Sequence, residues 1–449
     1  MNNQIKINNK IILNFISWCV CTIPIVLIFS NSIADIIVVI SSIFFIFYSV
    51  KKNSWNWLNE SWVKIAFMIY FWLILSSLFA FDKELALSRS TTWVRFIFFA
   101  ASLQFLFLNK NEYKNRLIIF AFIALIYVNS EMFIEYFTGS SLYSKIRFNF
   151  IDGLLFNGGH NRIAGPFKDG IKSGIYLAYF IFPIILGIAK LIKIKFSKNF
   201  SLIFIFFFMT INLYLIYISG HRASMLSAMV SLFLIIFYIS LKKRFITFFF
   251  IAAISIIIFS SYFSHNNELK NDNLITKTIN EIKNYSNSAY GTLSLTSLKM
   301  FKSYPLFGIG LKNYRVACEK DEFLSKGHLG TGYGVSPWKG HYNQGLKSFY
   351  EATCSGHPHN LYLTWLAETG FIGFFLFVLF LFTIAKKIFK HTKIIKNEII
   401  VLAILISLIP KLLPMMPSLN FFSNWNAICI WLLIGWLLSF YPKEKVSKF

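Results

Sequence analysis

Charge is scarce in this 449-residue chain: 14% of its residues are Asp, Glu, Lys or Arg, against about 25% in a soluble domain. Acidic residues are the scarcest, 19 against 44 Lys and Arg. This shortage excludes an ordinary cytosolic enzyme. With 56% hydrophobic residues, the chain is not a disordered one either. Arginine is rare among the cations, eight of the 44. No solenoid-like repeat and no low-complexity tract occurs. Ionisable residues are nearly missing from the centres of the apolar runs; Asp35, Arg95, Glu131, Glu135, Arg222 and Glu368 lie toward run ends. A transporter or proton pump places such groups near the bilayer midplane. On a soluble protein the net charge of +25 would suggest nucleic acid. Here the basic residues sit between long apolar runs, so no nucleic acid is expected as a partner and membrane lipids are.

What the chain does have is aromatic and aliphatic bulk: 53 Phe and a mean hydropathy of +0.60. About twelve segments satisfy the length rule for a membrane span: 11–30, 32–50, 62–80, 91–108, 116–137, 172–190, 199–218, 222–241, 245–263, 359–385, 398–414 and 421–440. Lys6 and Lys10 before Ile11–Phe29 resemble a signal peptide. The run is too long for a typical signal core and no A-x-A site follows it, so it is expected to stay as the first span. The expected fold is an all-α polytopic integral membrane protein. Nine spans occupy 1–263 with an outer loop near 138–171, a large, partly helical outer loop occupies 264–357, and three spans with a tail occupy 358–449.

Loop charge sets the orientation. The N-terminus, the C-terminus and the loops near 51, 110, 190–198, 242–244 and 386–396 hold 22 cations. These are the expected cytoplasmic side, with both termini inside. Only Arg116 and Arg244 among those 22 are Arg; Arg89, Arg95, Arg147, Arg162, Arg222 and Arg315 fall on the outer side or its membrane edge. Orientation needs only positive charge, which Lys supplies. A planar guanidinium fork is preferred where phosphate or carboxylate is gripped.

Four outer segments carry chemistry. The first is Cys354-Ser-Gly-His357-Pro358-His359-Asn360-Leu-Tyr-Leu-Thr-Trp-Leu-Ala-Glu368-Thr-Gly370-Phe-Ile-Gly373. Pro358 suits a first helical turn, which would hold His359 and Asn360 where free N–H groups favour an anion. From Pro358 to Ala385 one helix would be about 42 Å long. It must project to the outer interface or bend at Gly370. The second is Ser219-Gly220-His221-Arg222-Ala223-Ser224, a tight turn that brings Arg222 to the membrane edge among small neighbours. The third runs from Asn161-Arg162 through Gly165-Pro166 to Lys168, Asp169, Lys172 and Gly174, a turn flanked by cations. The fourth is Lys299-Met-Phe-Lys302-Ser-Tyr304-Pro305-Leu-Phe-Gly308-Ile-Gly310-Leu-Lys-Asn313-Tyr314-Arg315. No strand–turn–helix phosphate loop accompanies its Gly-x-Gly, which excludes nucleotide binding by that route. Cys354-x-x-His357-x-His359 has a metal-like spacing, but a structural zinc needs a fourth ligand and nothing fixes one. No metal and no cofactor are expected. Cys318 and Cys354 share the outer loop, where one disulfide is expected.

These segments, in this order, resemble the O-antigen ligase family and its relatives, the O-antigen polymerases. The resemblance covers most of the chain, including a Pro-rich outer turn at Pro410, Pro414 and Pro417. It implies a metal-independent, inverting glycosyltransferase at the periplasmic face of the bacterial inner membrane, active in lipopolysaccharide biosynthesis. The implied donor is a glycan on undecaprenyl diphosphate, and the acceptor a sugar of lipid A–core oligosaccharide. The family's essential His falls on His359 and its Arg at a span start on Arg222, with His357 and Asn360 beside them. A further loop cation falls on Lys299 or Lys302, with Arg315 downstream, and the resemblance does not choose. Arg162, Arg222 and Lys172 would offer charge to a leaving diphosphate, and His359 has the pKa range of a base. The same motifs fit a polymerase of lipid-linked repeat units, or oligosaccharide transfer to protein. A lipid-linked glycan flippase, the alternative of a different class, predicts a charged central cavity and exchangeable halves.

Overall fold

The computed structural model describes residues 2–143, 163–167, 172–195, 197–239, 283, 285–318, 320, 322–323, 355–414 and 416–442. Among them the chain is helical. The elements are α1 (Asn2–Cys21), α2 (Ile23–Phe29), α3 (Asn31–Lys52), α4 (Ser61–Ser77), α5 (Lys83–Trp93), α6 (Arg95–Ser102), α7 (Asn111–Thr138), α8 (Lys172–Lys195), α9 (Lys198–Ile218), α10 (Arg222–Ile239), α11 (Ala289–Ser303), α12 (Tyr314–Ala317), α13 (Leu361–Lys390), α14 (Thr392–Asn397), α15 (Ile399–Leu408) and α16 (Asn424–Leu438).

Six helical paths among the described residues are long and apolar enough to cross a membrane, and a seventh if Ile11–Cys21 and Ile23–Phe29, which meet at 52°, form one bent span. The bend falls at Thr22, just before Pro24, where proline cannot continue the hydrogen-bond ladder. Four further expected spans appear as shorter apolar helices, Ser61–Ser77, Arg222–Ile235, Ile399–Leu412 and Asn424–Leu438. The expected span 245–263 lies outside the described residues. The chain is thus a multi-pass membrane protein. One boundary moves appreciably: the path expected over 91–108 begins at Lys83, because Asp82 Oδ1 accepts the Leu85 N–H at 3.0 Å and caps a polar first turn.

Helix α16 is the central post. Every residue from Trp425 to Leu438 is buried, as expected of a helix that is apolar all round. It packs against α3, α6 and α15, while α8 packs against α7, α9 and α15. A smaller core lies apart, formed by Leu293, Met300, Ile309, Tyr314, Cys318 and Phe323 with Ala367 of α13. It roots the segment 289–323 in the bundle.

That root is a break in α13. Gly370 has φ 68° and ψ −173° inside the helix, which answers the choice left by the helix length in favour of a bend. The opened turn hands its polar groups to the segment 304–313. Ile309 N donates to Ala367 O at 2.9 Å, Gly310 N to Glu368 O at 3.0 Å, and Phe371 N to Pro305 O at 2.8 Å. Backbone passes so close that side chains are excluded. A Cβ on Gly308 would stand 2.5 Å from the carbonyl carbon of Glu368, and one on Gly370 would stand 2.1 Å from Leu306 O. The same segment is pinned to α4 and α5. The Phe307 ring stacks on Trp72 at 5.2 Å and on Phe79 at 4.3 Å. Phe81 N donates to Ile309 O at 2.9 Å, and Asn313 exchanges two hydrogen bonds with the Asp82 backbone, each 3.0 Å.

Gly370→Ala and Gly308→Ala are therefore expected to destabilise the protein well beyond the roughly 1–2 kcal/mol that a left-handed non-glycine residue costs. Gly139, with φ 77° and nothing within 4 Å of a built Cβ, isolates that backbone cost. Thermal unfolding in detergent should rank Gly139→Ala above both. Equal melting of all three would show that the close approach is not what excludes a side chain.

Candidate active site

His359 sits at a joint, not in a helix. Its φ is 54°, the left-handed region that non-glycine residues seldom adopt. The expected first turn at Pro358–Asn360 starts later, because Asn360 is extended and acts as the cap: its Oδ1 accepts the Leu363 N–H at 3.0 Å. The joint is held from the far side by the turn between α15 and α16. Ser418 N donates to His359 O at 2.8 Å, Asn360 pairs antiparallel with Pro417, and Asn360 Nδ2 donates to Pro414 O at 2.6 Å. Tyr362 Oη donates to Leu412 O at 2.7 Å. The Pro-rich turn thus clamps the histidine segment.

The two imidazoles stack at 4.0 Å between centroids. His357 Nε2 is 3.2 Å from Ser418 O. A carbonyl only accepts, so His357 carries its proton on Nε2. Burial, reinforced by His359, Lys312 and Arg315, holds His357 well below the usual imidazole range. Burial lowers His359 to about 4. Both rings are neutral at pH 7, and Tyr290 meets His359 edge-on at 5.9 Å. A neutral imidazole can accept a proton. An anion brought beside it would raise its pKa toward the working range.

Cations gather around this pair. Lys312 and Arg315 lower the basicity of His357, so both lie within electrostatic reach of it. Lys312 is 7% exposed, has φ 64°, and donates its N–H to Glu368 Oε2 at 2.9 Å. Arg89 of α5 acts on Lys312 as well. Arg315 is half-buried, and its Nε has no hydrogen-bond partner among the described residues. Lys299 and Lys302 instead lie on the exposed side of α11, whose Leu293, Thr296, Ser297 and Met300 are buried. Of the loop cations left open by the sequence, Arg315 is the one the fold brings to the histidines. Lys312, one residue before Asn313 in the docked segment, is one that sequence reasoning passed over. Its signal was the shared spacing of Gly308, Gly310 and Gly370.

Arg222 opens α10 after a tight turn. Ser224 Oγ donates to His221 Nδ1 at 2.6 Å, Ser224 N donates to the same atom at 3.2 Å, and the turn packs on Gly174, where a Cβ would stand 2.5 Å from Ser219 Oγ. Helix α10 runs antiparallel to α15: Tyr238 Oη donates to Ile395 O at 3.4 Å, and Ser231 Oγ to Ile406 O at 2.7 Å. Arg222 therefore rises to the level of Leu412–Pro414, the stretch that clamps Asn360 and Tyr362. Lys172 begins α8 and lines a cavity with Leu27, Phe29, Asn31, Phe167 and Trp425, none of which belongs to the histidine cluster. Arg162 lies outside the described residues, but the turn after it is placed by Glu135, which accepts N–H groups of Ala164 at 3.1 Å and Gly165 at 2.5 Å. Cys318 is disulfide-bonded; its expected partner Cys354 lies outside the described residues. Among the described residues, no three His, Cys, Asp or Glu side chains converge as metal ligands would.

No curated protein matches the chain. A family model described as O-antigen ligase matches residues 202–378. The matched stretch begins within α9 and ends in α13 beyond Gly370. It therefore encloses Arg222, the docked segment 304–313, Arg315, both histidines and Glu368, and over that stretch, less than half of the chain, the sequence is similar to the O-antigen ligase family.

Proposed function

We infer that this chain is a membrane glycosyltransferase of O-antigen and lipopolysaccharide assembly. It moves a glycan from undecaprenyl diphosphate to a sugar of lipid A–core at the periplasmic face of the inner membrane. The observation that carries this reading is a neutral His359, fixed at a strained joint and stacked on His357, with Lys312 and Arg315 within electrostatic reach. An acceptor hydroxyl needs a base, and a diphosphate leaving group needs cations. Helix α13 supports the orientation. The histidine joint precedes it, and Lys386, Lys387 and Lys390 lie toward its other end, the charge pattern of an outer and a cytoplasmic end.

In this reading the acceptor oxygen attacks the anomeric carbon and the bond from that carbon to the diphosphate oxygen breaks, inverting the centre. The hydroxyl proton passes to the free imidazole nitrogen of His359, and the electron pair of the broken bond leaves on undecaprenyl diphosphate. Arg222 and Arg315 neutralise the charge that develops there, and Arg162 is a further donor contact; Lys172, in its separate cavity, takes no part in the step. Guanidinium forks bind two phosphate oxygens at once, so no metal is required by the step.

A deletion strain complemented with the wild type should show lipid A–core bearing glycan on a gel, and His359→Ala should show bare core while inserting normally. Core bearing a single repeat unit in the deletion strain would identify a polymerase, and normal glycan in His359→Ala would remove the base from the account. Arg222→Lys should lower transfer about tenfold or more, the loss of one charge-assisted bond of a bidentate pair. Full activity in that variant would reduce Arg222 to a charge. Purified enzyme given lipid-linked donor and lipid A–core should work in excess chelator. Loss of transfer that magnesium or manganese restores would contradict the arginine account, and Asp152, Asp169 and Glu368 would be the first ligands to test.

A further inference from the structure

Glu368 is fully buried. Oε2 accepts the Lys312 N–H at 2.9 Å and the backbone N–H of Tyr314 also acts on the carboxylate, while Oε1 makes no close hydrogen bond among the described residues. A buried carboxylate in this condition is costly unless cations answer it. The cations that act on it are Lys312 and Arg315, and Arg89 adds its charge at Lys312. Two positive groups, Lys312 and Arg315, thus answer one buried carboxylate, and both act electrostatically on His357. Lys312 is also held in a left-handed conformation by a segment docked on α4, α5 and α13. Nothing in the packing of the smaller core requires a lysine there, since the bond that fixes the position uses the backbone N–H. An apolar or small residue would serve structure equally well, and a glycine would relieve the strain. A strained backbone that carries a buried ammonium beside a candidate base is a built feature of the kind that accumulates where ligands bind.

We propose that Lys312 binds the donor's diphosphate and that Glu368 is its positioning residue, holding Lys312 and Arg315 together against their mutual repulsion until the anion arrives. The proposal rests on the donor reading given above. It makes Lys312 the loop cation that the sequence left unassigned, shared with Arg315. It also explains why a glutamate belongs two residues before Gly370. From there its backbone carbonyl receives Gly310 and its side chain receives Lys312, so one residue fixes both the loop and its charge.

The proposal has a pH signature. The groups facing Lys312 are Glu368 of α13, Arg315 and Tyr314 of α12, Arg89 of α5 and His357 of the histidine joint. Asp82 is held by the neighbouring Asn313. Burial lowers Lys312 to about 8, Glu368 opposes that shift, and Arg315 and Arg89 add to it. The ammonium is present below that pH and lost above it. Diphosphate affinity should therefore hold at neutral pH and fall as pH rises through about 8. Glu368→Gln keeps an oxygen for the Lys312 N–H but removes the charge that supports the ammonium, so the fall should begin at lower pH. Lys312→Arg cannot titrate, so the fall should vanish or move far upward. A purely structural role for either residue would move none of these curves.

The experiment is titration of full-length protein in nanodiscs with undecaprenyl diphosphate carrying no sugar, across the pH range, for the wild type, Lys312→Met, Lys312→Arg and Glu368→Gln. Lys312→Met should weaken binding about tenfold at neutral pH, the loss of one charged contact. The two conservative variants should displace the alkaline limb in opposite directions. Where Lys312→Met does not fold, those two curves decide the matter. Wild-type binding that Lys312→Met leaves intact, or alkaline limbs that superimpose in all variants, overturns the role of Lys312 and leaves the donor reading standing. Wild-type protein that does not bind the probe overturns the donor reading, and this proposal with it.

Discussion

The site depends on a helix that is interrupted at one glycine. An unbroken α13 would satisfy Ala367 O and Glu368 O internally and leave the segment 304–313 with no backbone partners. With Gly370 in a left-handed, extended-ψ conformation, those carbonyls and the Phe371 N–H become a docking edge inside an otherwise apolar bundle. In a lipid setting every backbone polar group must find a partner, so the break and the docked segment require each other. The opposite end of α13 is also tied, through Lys387 and Glu60, a buried ion pair in which Glu60 is fully enclosed. Glu60 is at the same time the N-cap position of α4, the helix whose Trp72 donates to Thr369 O at 3.0 Å. The helix that presents the histidines is therefore held at both ends and at its break.

The sparse charges near the ends of the spans divide cleanly once their partners are known. Arg95 binds Asp35 at 2.8 Å and Asn424 at 3.0 Å, closing a polar knot between α3, α6 and α16. Glu131 accepts the Tyr143 N–H at 3.1 Å, and Glu135 takes the turn at Gly165. These are structural uses: each carboxylate or guanidinium replaces a backbone partner that the bilayer cannot supply. Glu368 is different, since it is fully buried and is answered by two cations, Lys312 and Arg315. Arg222 lies at the same end of the bundle, on a turn built from Ser, Gly and His. In the proposed reading, neutral histidines within electrostatic reach of Lys312 and Arg315 form a site for an anion. The arrival of one would at once satisfy the cations and make His359 more basic.

Much of the architecture was legible in the chain. Apolar runs of span length, separated by lysines, already specified a multi-pass helical protein, since no other backbone arrangement satisfies itself in hydrocarbon without a closed barrel. The joint at Gly370 and the special character of His359 could be read locally, from helix length, proline and glycine. The start of α13 was placed a few residues too early because a proline before a histidine reads as a first turn, while the extended Asn360 cap depends on Pro414 and Pro417, more than fifty residues away. Lys299 and Lys302 looked equivalent to Arg315 as loop cations. Helical phase turned them to the exposed side of α11, whose other face was taken by the smaller core.

What the sequence by itself determined is therefore the part governed by short-range rules: helices, their apolar faces, and the residue types available for phosphate and proton chemistry. Which of those residues meet was decided only by tertiary structure. Lys312 and Glu368 lie on separate elements, and no periodicity connects them. They converge because Gly308 and Gly370 let two backbones approach to a distance that any side chain would forbid, and that contact, not local propensity, sets which charges face the histidines.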